Sequence, residues 1–543
     1  MTRPMTRLLA LLVLLAACDP PDHGPRFRAA GATTPRDGGR LRFAILAGVQ
    51  SLDPAFATDE MSYYPLHALF DTLVDYAPGS LTLIPRLADH WTISPDGLHY
   101  TFWLRPNLAF HDGAPLTAAD AKRGLERTLK AKGAPFVTYL LDIEGAQAVL
   151  DHPATTCNGI TAAGNRLDIQ LTRRNPGFLA ILTMPFTTPQ RSEADNARLR
   201  SEPDANGPYE LASWDEGNEL VLRRNPHYDD RSRGHLDEIA MRENVPRDTQ
   251  FQMFERGELD TVDKLAAPDY LYVIGEPAWQ PYLHRTNVPN TNGSRINVTA
   301  PILSDRRVRQ ALNYALDKSH SARLLNGTTT PSHGMLPPGM LGRDPELAPY
   351  PHDVAKARAL LVLAGYPTGI DLDYVTAQDE ETEKLTQSLQ ADLAEAGIRL
   401  AVHTVSFQAL NAAIAQPDGP PLSYGNWIAD FPDPINFLDT KFHSSSIPTQ
   451  TNDTFYANPA FDRLLDAARD EIDPDRRAAL YRQAERILYD DAPWIWDYHR
   501  VATEVTQPYV RGPVTHPIWI RDFTAAWLDL GAEGQPVARG AEP

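Results

Sequence analysis

The stretch Tyr424-Gly425-Asn426-Trp427-Ile428-Ala429-Asp430-Phe431-Pro432-Asp433-Pro434 gathers two carboxylates, two prolines and three aromatic rings into eleven residues. Pro432 and Pro434 fix φ, remove two backbone donors and push the residues before them towards extended conformations. The stretch therefore predicts a rigid extended loop that does not relax into helix. Asp430 lies between Trp427 and Phe431, so its carboxylate is expected beside apolar rings and partly dehydrated. A carboxylate so placed wants a cation, and no Lys or Arg lies nearer in sequence than Lys441. Capping of a turn, or pairing with a distant arginine, is the plainer alternative. The rest of the chain decides between them.

At 543 residues the chain exceeds what one hydrophobic core organises, so two or three domains are expected. The apolar share of 42% is that of an ordinary packed protein. A net charge of −19 argues against nucleic acid or an anionic membrane surface as the main partner, since both would repel it. It is compatible with a carrier of cationic or zwitterionic ligands.

Arg3 and Arg7 precede an unbroken apolar run from Leu8 to Ala17. Ten apolar residues are too few for a permanent membrane span and suit the core of a signal peptide, residues 1–17. The ending Leu15-Ala16-Ala17-Cys18 resembles the bacterial lipoprotein box. That resemblance implies a lipid on Cys18, a cell-envelope or periplasmic location and, from Asp19, retention on the outer face of the inner membrane. The Pro- and Gly-rich residues 18–39 read as a flexible tether. Cys157 is then the only other thiol, and it reads as a small buried hydrophobe.

Further on, Trp91–Ser94, the turn Pro95-Asp96-Gly97 and Leu98–Leu104 predict a hairpin, with Tyr100, Phe102 and Leu104 on one face. A turn at Phe110-His111-Asp112-Gly113 leads to Thr117–Asp120, whose spacing is that of a capping box. Tyr209–Trp214 and Glu219–Arg223 make a second hairpin. From Ser304 the pattern becomes alternating helix and strand. Val308, Ala311, Leu312, Ala315 and Leu316 form one helical stripe, Asp353 opens a second helix, and Leu385, Leu389 and Leu393 line a third that stops at Gly397. Asn458-Pro459 and Asp473-Pro474 open two late helices. Residues 531–543 read as a disordered tail.

Five stretches in this order resemble the extracytoplasmic solute-binding proteins, family 5, which serve peptide- and nickel-type ABC importers. They are Leu87–Trp91 with its hairpin, Phe110–Asp120, Gly207–Leu211 through Tyr228, Asp305–Ala315, and Trp427–Pro434. The resemblance implies an α/β, two-lobed periplasmic-binding-protein fold of the large, three-subdomain type, with mixed sheets and hinge crossings. It implies a first-lobe core from residues 40–63, 204–291 and 508–530, an insertion subdomain at 64–203 and a second lobe at 292–507. It further implies a monomeric binding protein, not an enzyme and without cofactor or metal, that captures a short peptide and delivers it to a permease. Asp430 stands where peptide-binding members pair with a ligand's α-ammonium, and Trp427 where a ring lines a side-chain pocket. Tyr424, Gly425, Asn426 and Phe431 are candidate contacts from the same stretch. Thr58, Asp59, Glu60 and Met61 fall where the first lobe lays backbone beside the ligand. The chain departs from the pattern in having no basic residue between Ser423 and Thr440 and in carrying Glu380 and Glu381 in the preceding unit. A sugar, opine, nickel chelate or haem on the same fold is the alternative passenger.

An extracytoplasmic hydrolase is the competing class. The sequence contains no Gly-x-Ser-x-Gly, His-Glu-x-x-His or Gly-x-x-x-x-Gly-Lys-Ser/Thr motif. His111-Asp112 reads as a turn, His443 as a loop histidine, Trp494-Ile495-Trp496 as core and Arg306-Arg307-Val308-Arg309 as the solvated face of a helix.

Overall fold

The computed structural model describes residues 24–153, 155–192, 197–447 and 451–539. The signal peptide and Cys18 lie outside the described residues. Among these residues no helix is long and apolar enough to cross a membrane.

Three sheets carry the architecture, which is the mixed α/β, two-lobed fold expected. In the first lobe, Arg40–Ala44 pairs in parallel with Glu238–Arg242, followed by Glu219–Arg224 and Tyr209–Asp215 in antiparallel order. Residues 216–218 join the last two as the turn of the second expected hairpin. A second four-stranded antiparallel sheet contains the hairpin Ala88–Ile93 and His99–Leu104, with Arg166–Gln170 and Ile160–Ala163 beyond it. Gly97 takes the left-handed conformation its turn requires (φ +71°). Tyr100, Phe102 and Leu104 are buried, as their alternation predicts. Thr117 and Asp120 close the capping box on the helix Ala118–Lys130 that covers this sheet.

The third sheet has eight strands and spans both lobes. Its long strand Trp494–Thr506 pairs through residues 494–498 with Asn290–Ile296 in the second lobe. Through residues 501–506 it pairs with Leu283–Asn287 and Thr261–Asp263 on the first-lobe side. The chain thus crosses twice side by side, at 287–290 and at 498–501. Two adjacent crossings make a hinge that allows rotation without unfolding.

On the second-lobe side the order runs Asn290–Ile296, Leu422–Ile428, Ile370–Ala377, Ile398–Val405. Ile370–Ala377 is parallel to both its neighbours. Asp305, Asp353 and Asp379 cap the helices Arg306–Ala315, Val354–Leu363 and Glu380–Glu395. The late helices Pro459–Asp470 and Pro474–Asp491 begin at the prolines the sequence marks. Trp494, Ile495 and Trp496 are core residues, as expected.

Several expectations need correction. Phe27–Arg28, from the segment expected to be a free tether, pairs antiparallel with Val537–Ala538, from the expected disordered tail. The Asp529 carboxylate accepts from the backbone of Gly31 and Ala32 (2.7 and 3.0 Å), so these described portions are held by strand pairing and by a side chain. Arg309 is not solvated: it is buried and donates to the carbonyls of Leu303, Ser304 and Asp491, the last at the end of the helix Pro474–Asp491. Tyr424–Ile428 is not loop but part of a central strand. The prolines act only beyond Ile428, and a helical segment begins at Ile435 directly after Pro434.

Candidate functional site

Parallel strands present their carboxyl ends together, and a crevice opens where the connecting helices pass to opposite faces of the sheet. The strand Ile370–Ala377 sits between Leu422–Ile428 and Ile398–Val405, so successive crossovers run in opposite directions beside it. Asp430 follows the strand Leu422–Ile428 by two residues and stands at that carboxyl edge.

The turn that carries Asp430 is built by Asn436. Its Oδ1 accepts from the Asp430 backbone (3.1 Å) and from Trp427 Nε1 (3.2 Å), while its Nδ2 donates to Asp430 Oδ2 (3.0 Å). The hydroxyl of Tyr139, from the other lobe, donates to the same oxygen. Burial pushes the Tyr139 phenol up, and Asp430 adds to the shift. Tyr63 is likewise raised, by burial first, then by Asp430 and Asp59. Asp430 is half-buried, and its Oδ1 has no hydrogen-bond partner among the described residues. No Arg or Lys forms an ion pair with it among those residues. Three positions on, Asp433 is buried and held by both Nη atoms of Arg477 (2.6 and 2.9 Å).

Asp430 also lines a cavity of about 580 Å³ in the second lobe. Trp427, Phe407, Leu410 and Ile414 supply apolar wall, and Lys441 and Asp453 a charged patch. Lys441 Nζ lies 4.9 Å over the Trp427 ring and 2.7 Å from Asp453. Gly425 is needed where it is: a Cβ there would stand 2.9 Å from Arg295 N and 3.1 Å from the Trp494 ring. Tyr424 and Trp427 are half-buried, and Asn426 is exposed.

Phe431 does something the sequence does not announce. Its ring is buried within the hydrophobic core of the insertion, the core that also holds Phe178 and Phe186, and meets Tyr139 edge-on at 5.4 Å. It is therefore an inter-lobe contact whose ring is not free to meet a ligand.

Thr58, Asp59, Glu60 and Met61 lie at the start of the helix Glu60–Leu69. Asp59 caps that helix through Ser62 N (2.9 Å), Glu60 is paired with Lys264, and Met61 packs on the first-lobe core. Thr58 is exposed. Tyr63 joins the two groups, since both Asp59 and Asp430 act on its phenol. Tyr139, Asn436 and Tyr63 were missed in the sequence. Tyr139 is 291 residues from its partner, and no local pattern could have marked it.

The remaining candidates resolve into structure. Asp112 is paired with Arg191, and burial lowers His111 to about 4. His443 Nδ1 accepts from Ser445 N (3.0 Å). Cys157 is buried, and burial pushes its thiol up to about 11. Among the described residues no group of three His, Cys, Asp or Glu is placed to hold a metal ion.

The di/tripeptide-binding protein 2 of Pseudomonas aeruginosa is 26% identical, over 97% of this chain and 100% of its own length. The heme-binding protein A of Haemophilus influenzae is also 26% identical, over 96% and 98%. The periplasmic binding protein DppA of Helicobacter pylori, solved in complex with the peptide STSA, superposes with a TM-score of 0.72 at 26% identity. That superposition covers 91% of this chain and 99% of that one. The model of bacterial extracellular solute-binding proteins, family 5 Middle, matches residues 82–449. Matched over more than half its length, the chain belongs to that family, whose members are extracytoplasmic binding proteins of peptide-type ABC importers rather than enzymes.

Proposed function

We propose that this protein captures a short peptide between its lobes and hands it to an inner-membrane ABC permease, acting as a monomer tethered by lipid on Cys18. The observation that carries the peptide reading is Asp430. It is half-buried at the contact of the two lobes, and among the described residues one of its oxygens is unbonded and no Lys or Arg pairs with it. A peptide's α-ammonium supplies the missing charge, and charge-assisted hydrogen bonds of this kind are the stronger class. Tyr139 and Asn436 orient the carboxylate from opposite lobes, so the ammonium is gripped only when the lobes meet. Binding then shifts the open–closed equilibrium by its extra affinity for the closed form.

Trp427 and the cavity beside it receive the first side chain, with Tyr424, Gly425 and Asn426 lining the approach. Thr58 to Met61 form the facing edge. A relative of equal identity is named for haem. It lacks the ammonium that the Asp430 geometry favours. Native mass spectrometry of protein purified from its host tests the assignment. Retained masses of di- to oligopeptides are expected, whereas a retained haem, sugar or nickel chelate would overturn it.

A further inference from the structure

The described residues begin at Gly24, six positions after Cys18, and a chain of that length reaches at most about 20 Å when fully extended. A membrane that holds a lipid on Cys18 therefore lies within that reach of Gly24. The surface around Gly24 is fixed to the first lobe. Phe27–Arg28 pairs with Val537–Ala538, and Arg539 N donates to Arg26 O (2.8 Å). The Phe27 ring packs on the first-lobe core and meets Tyr509 edge-on at 5.8 Å. Its seat needs Gly257, which has φ +77° and whose added Cβ would stand 2.6 Å from the ring.

Gly24 itself lines a cavity of about 400 Å³, together with Arg26, Glu255, Arg256, Tyr272, Trp279 and Gln507. This cavity shares no lining residue with the one beside Asp430. Its chemistry is zwitterionic. Arg26 and Arg256 are exposed, and among the described residues Arg256 spends only Nε, on Glu258 (2.6 Å). Its two Nη groups remain to meet an anion. Glu255, at the end of the helix Arg247–Glu255, supplies an exposed carboxylate. Gln507 follows the long strand Trp494–Thr506 and is 1% exposed. Its Nε2 donates to Phe254 O (2.7 Å), which leaves Oε1 buried and without a hydrogen-bond partner among the described residues. An orphaned buried acceptor is costly until a donor reaches it. Tyr272 and Trp279 add aromatic lining, which suits an ammonium. Leu271, beside Tyr272 on the helix Ala267–Gly275, is 51% exposed.

We infer that this cavity receives the phosphoethanolamine headgroup of a phospholipid in the membrane that holds the anchor. The phosphate meets Arg26 and Arg256, whose guanidinium forks match it. The ammonium turns towards Gln507 Oε1 and Glu255, and Leu271 meets the boundary of the acyl chains. The inference rests on the reading of Cys18 as lipidated and adds to it the face of the first lobe that lies on the bilayer. Charge favours a zwitterion: a chain of net charge −19 is repelled by an anionic surface, and a headgroup of no net charge escapes that repulsion. A choline headgroup carries the same phosphate but has no N–H to give to Gln507.

Mass spectrometry and hydrogen exchange of the protein purified from host membranes test this. The mass first establishes whether Cys18 carries lipid. The protein is then placed in vesicles of phosphatidylethanolamine with phosphatidylglycerol, and in vesicles where phosphatidylcholine replaces the ethanolamine lipid. Amides of residues 252–257 and of the helix Ala267–Gly275 are expected to exchange several-fold more slowly in the ethanolamine vesicles. Those of the helix Val354–Leu363, in the second lobe, are expected to exchange alike in both. Arg26→Gln combined with Arg256→Gln, both at exposed side chains, is expected to abolish the difference. Equal exchange in the two vesicles by a protein lipidated on Cys18 would overturn the headgroup site and leave the anchor standing. The same slowing by soluble phosphoethanolamine in detergent would overturn the membrane as its source. A protein without lipid on Cys18 would overturn the anchor and this inference together.

Discussion

Asp430 and Asp433 stand three residues apart on one proline-stiffened loop, and the protein treats them in opposite ways. Asp433 is buried with its counter-charge supplied by the chain: Arg477 grips both oxygens, and Tyr481 in turn bonds the guanidinium at 3.1 Å. Among the described residues the Asp430 side chain receives only neutral donors, Tyr139 and Asn436, and both converge on one oxygen. The buried acid with its own cation is a fastener, and the half-buried acid is, on the function proposed above, the receptor. The difference does not lie in the loop, which is the same loop. It lies in what the helix Pro474–Asp491 and the opposite lobe bring to each end of it.

The largest effect should fall on the fastener. Asp433→Ala leaves Arg477 buried and unpaired, so a loss of about 3–5 kcal/mol of stability is expected in denaturant unfolding. Loss below about 1 kcal/mol would show that the two acids are not different in kind. Phe431→Ala should come next. Removing a buried aromatic costs about 3–5 kcal/mol, but this ring belongs to the second lobe and fills the core of the insertion. The cost should therefore appear in the meeting of the lobes, as a larger radius of gyration in small-angle scattering, with less effect on unfolding. An unchanged radius with a large stability loss would mean that the lobes never part at this contact.

A charge pair of the opposite sign sharpens the contrast. His67 is buried between Asp75 and Asp522 (3.3 and 3.5 Å). Burial opposes its charge, but the two acids outweigh it and raise His67 to about 9 from 6.5. With the folded value above the unfolded one, its stabilisation is complete below about pH 6.5 and is lost as pH rises through about 9. At 1.4 kcal/mol per unit this amounts to about 3 kcal/mol. Urea midpoints between pH 6 and pH 9.5 should fall in the unaltered protein and fall less in His67→Gln. A parallel decline in both would remove His67 from the account. The smallest effect belongs to Tyr139→Phe, which deletes one neutral donor and should weaken peptide binding by about 0.5–1.5 kcal/mol, read by calorimetry.

The sequence made some of this legible and hid the rest for physical reasons. The hairpins around Gly97 and Glu216–Asn218, and the helices capped by Asp305, Asp353 and Asp379, follow from local chemistry. Turn glycines, caps and periodicity act within a few residues, and the structure agrees with them. Asp430 was visible as an acid short of a cation. Tyr139, its donor from the other lobe, was not. Arg309 misled for a related reason: its neighbours in sequence look like a solvated face, yet one of the three carbonyls it satisfies belongs to Asp491, 182 residues away. Phe431 misled too, since a ring beside a ligand-seeking acid resembles a ligand contact until the insertion closes around it. Where a side chain's fate depends on a distant element, spacing alone does not decide it.

The central claim is that Asp430 waits for a positive charge that none of the described residues supplies. Titration calorimetry of the unaltered protein and Asp430→Ala with a free tripeptide tests it most directly. The account predicts that affinity falls by roughly two to three orders of magnitude while the denaturant midpoint barely moves. Unchanged affinity in the variant, or a collapse of its stability like that expected for Asp433→Ala, would contradict it.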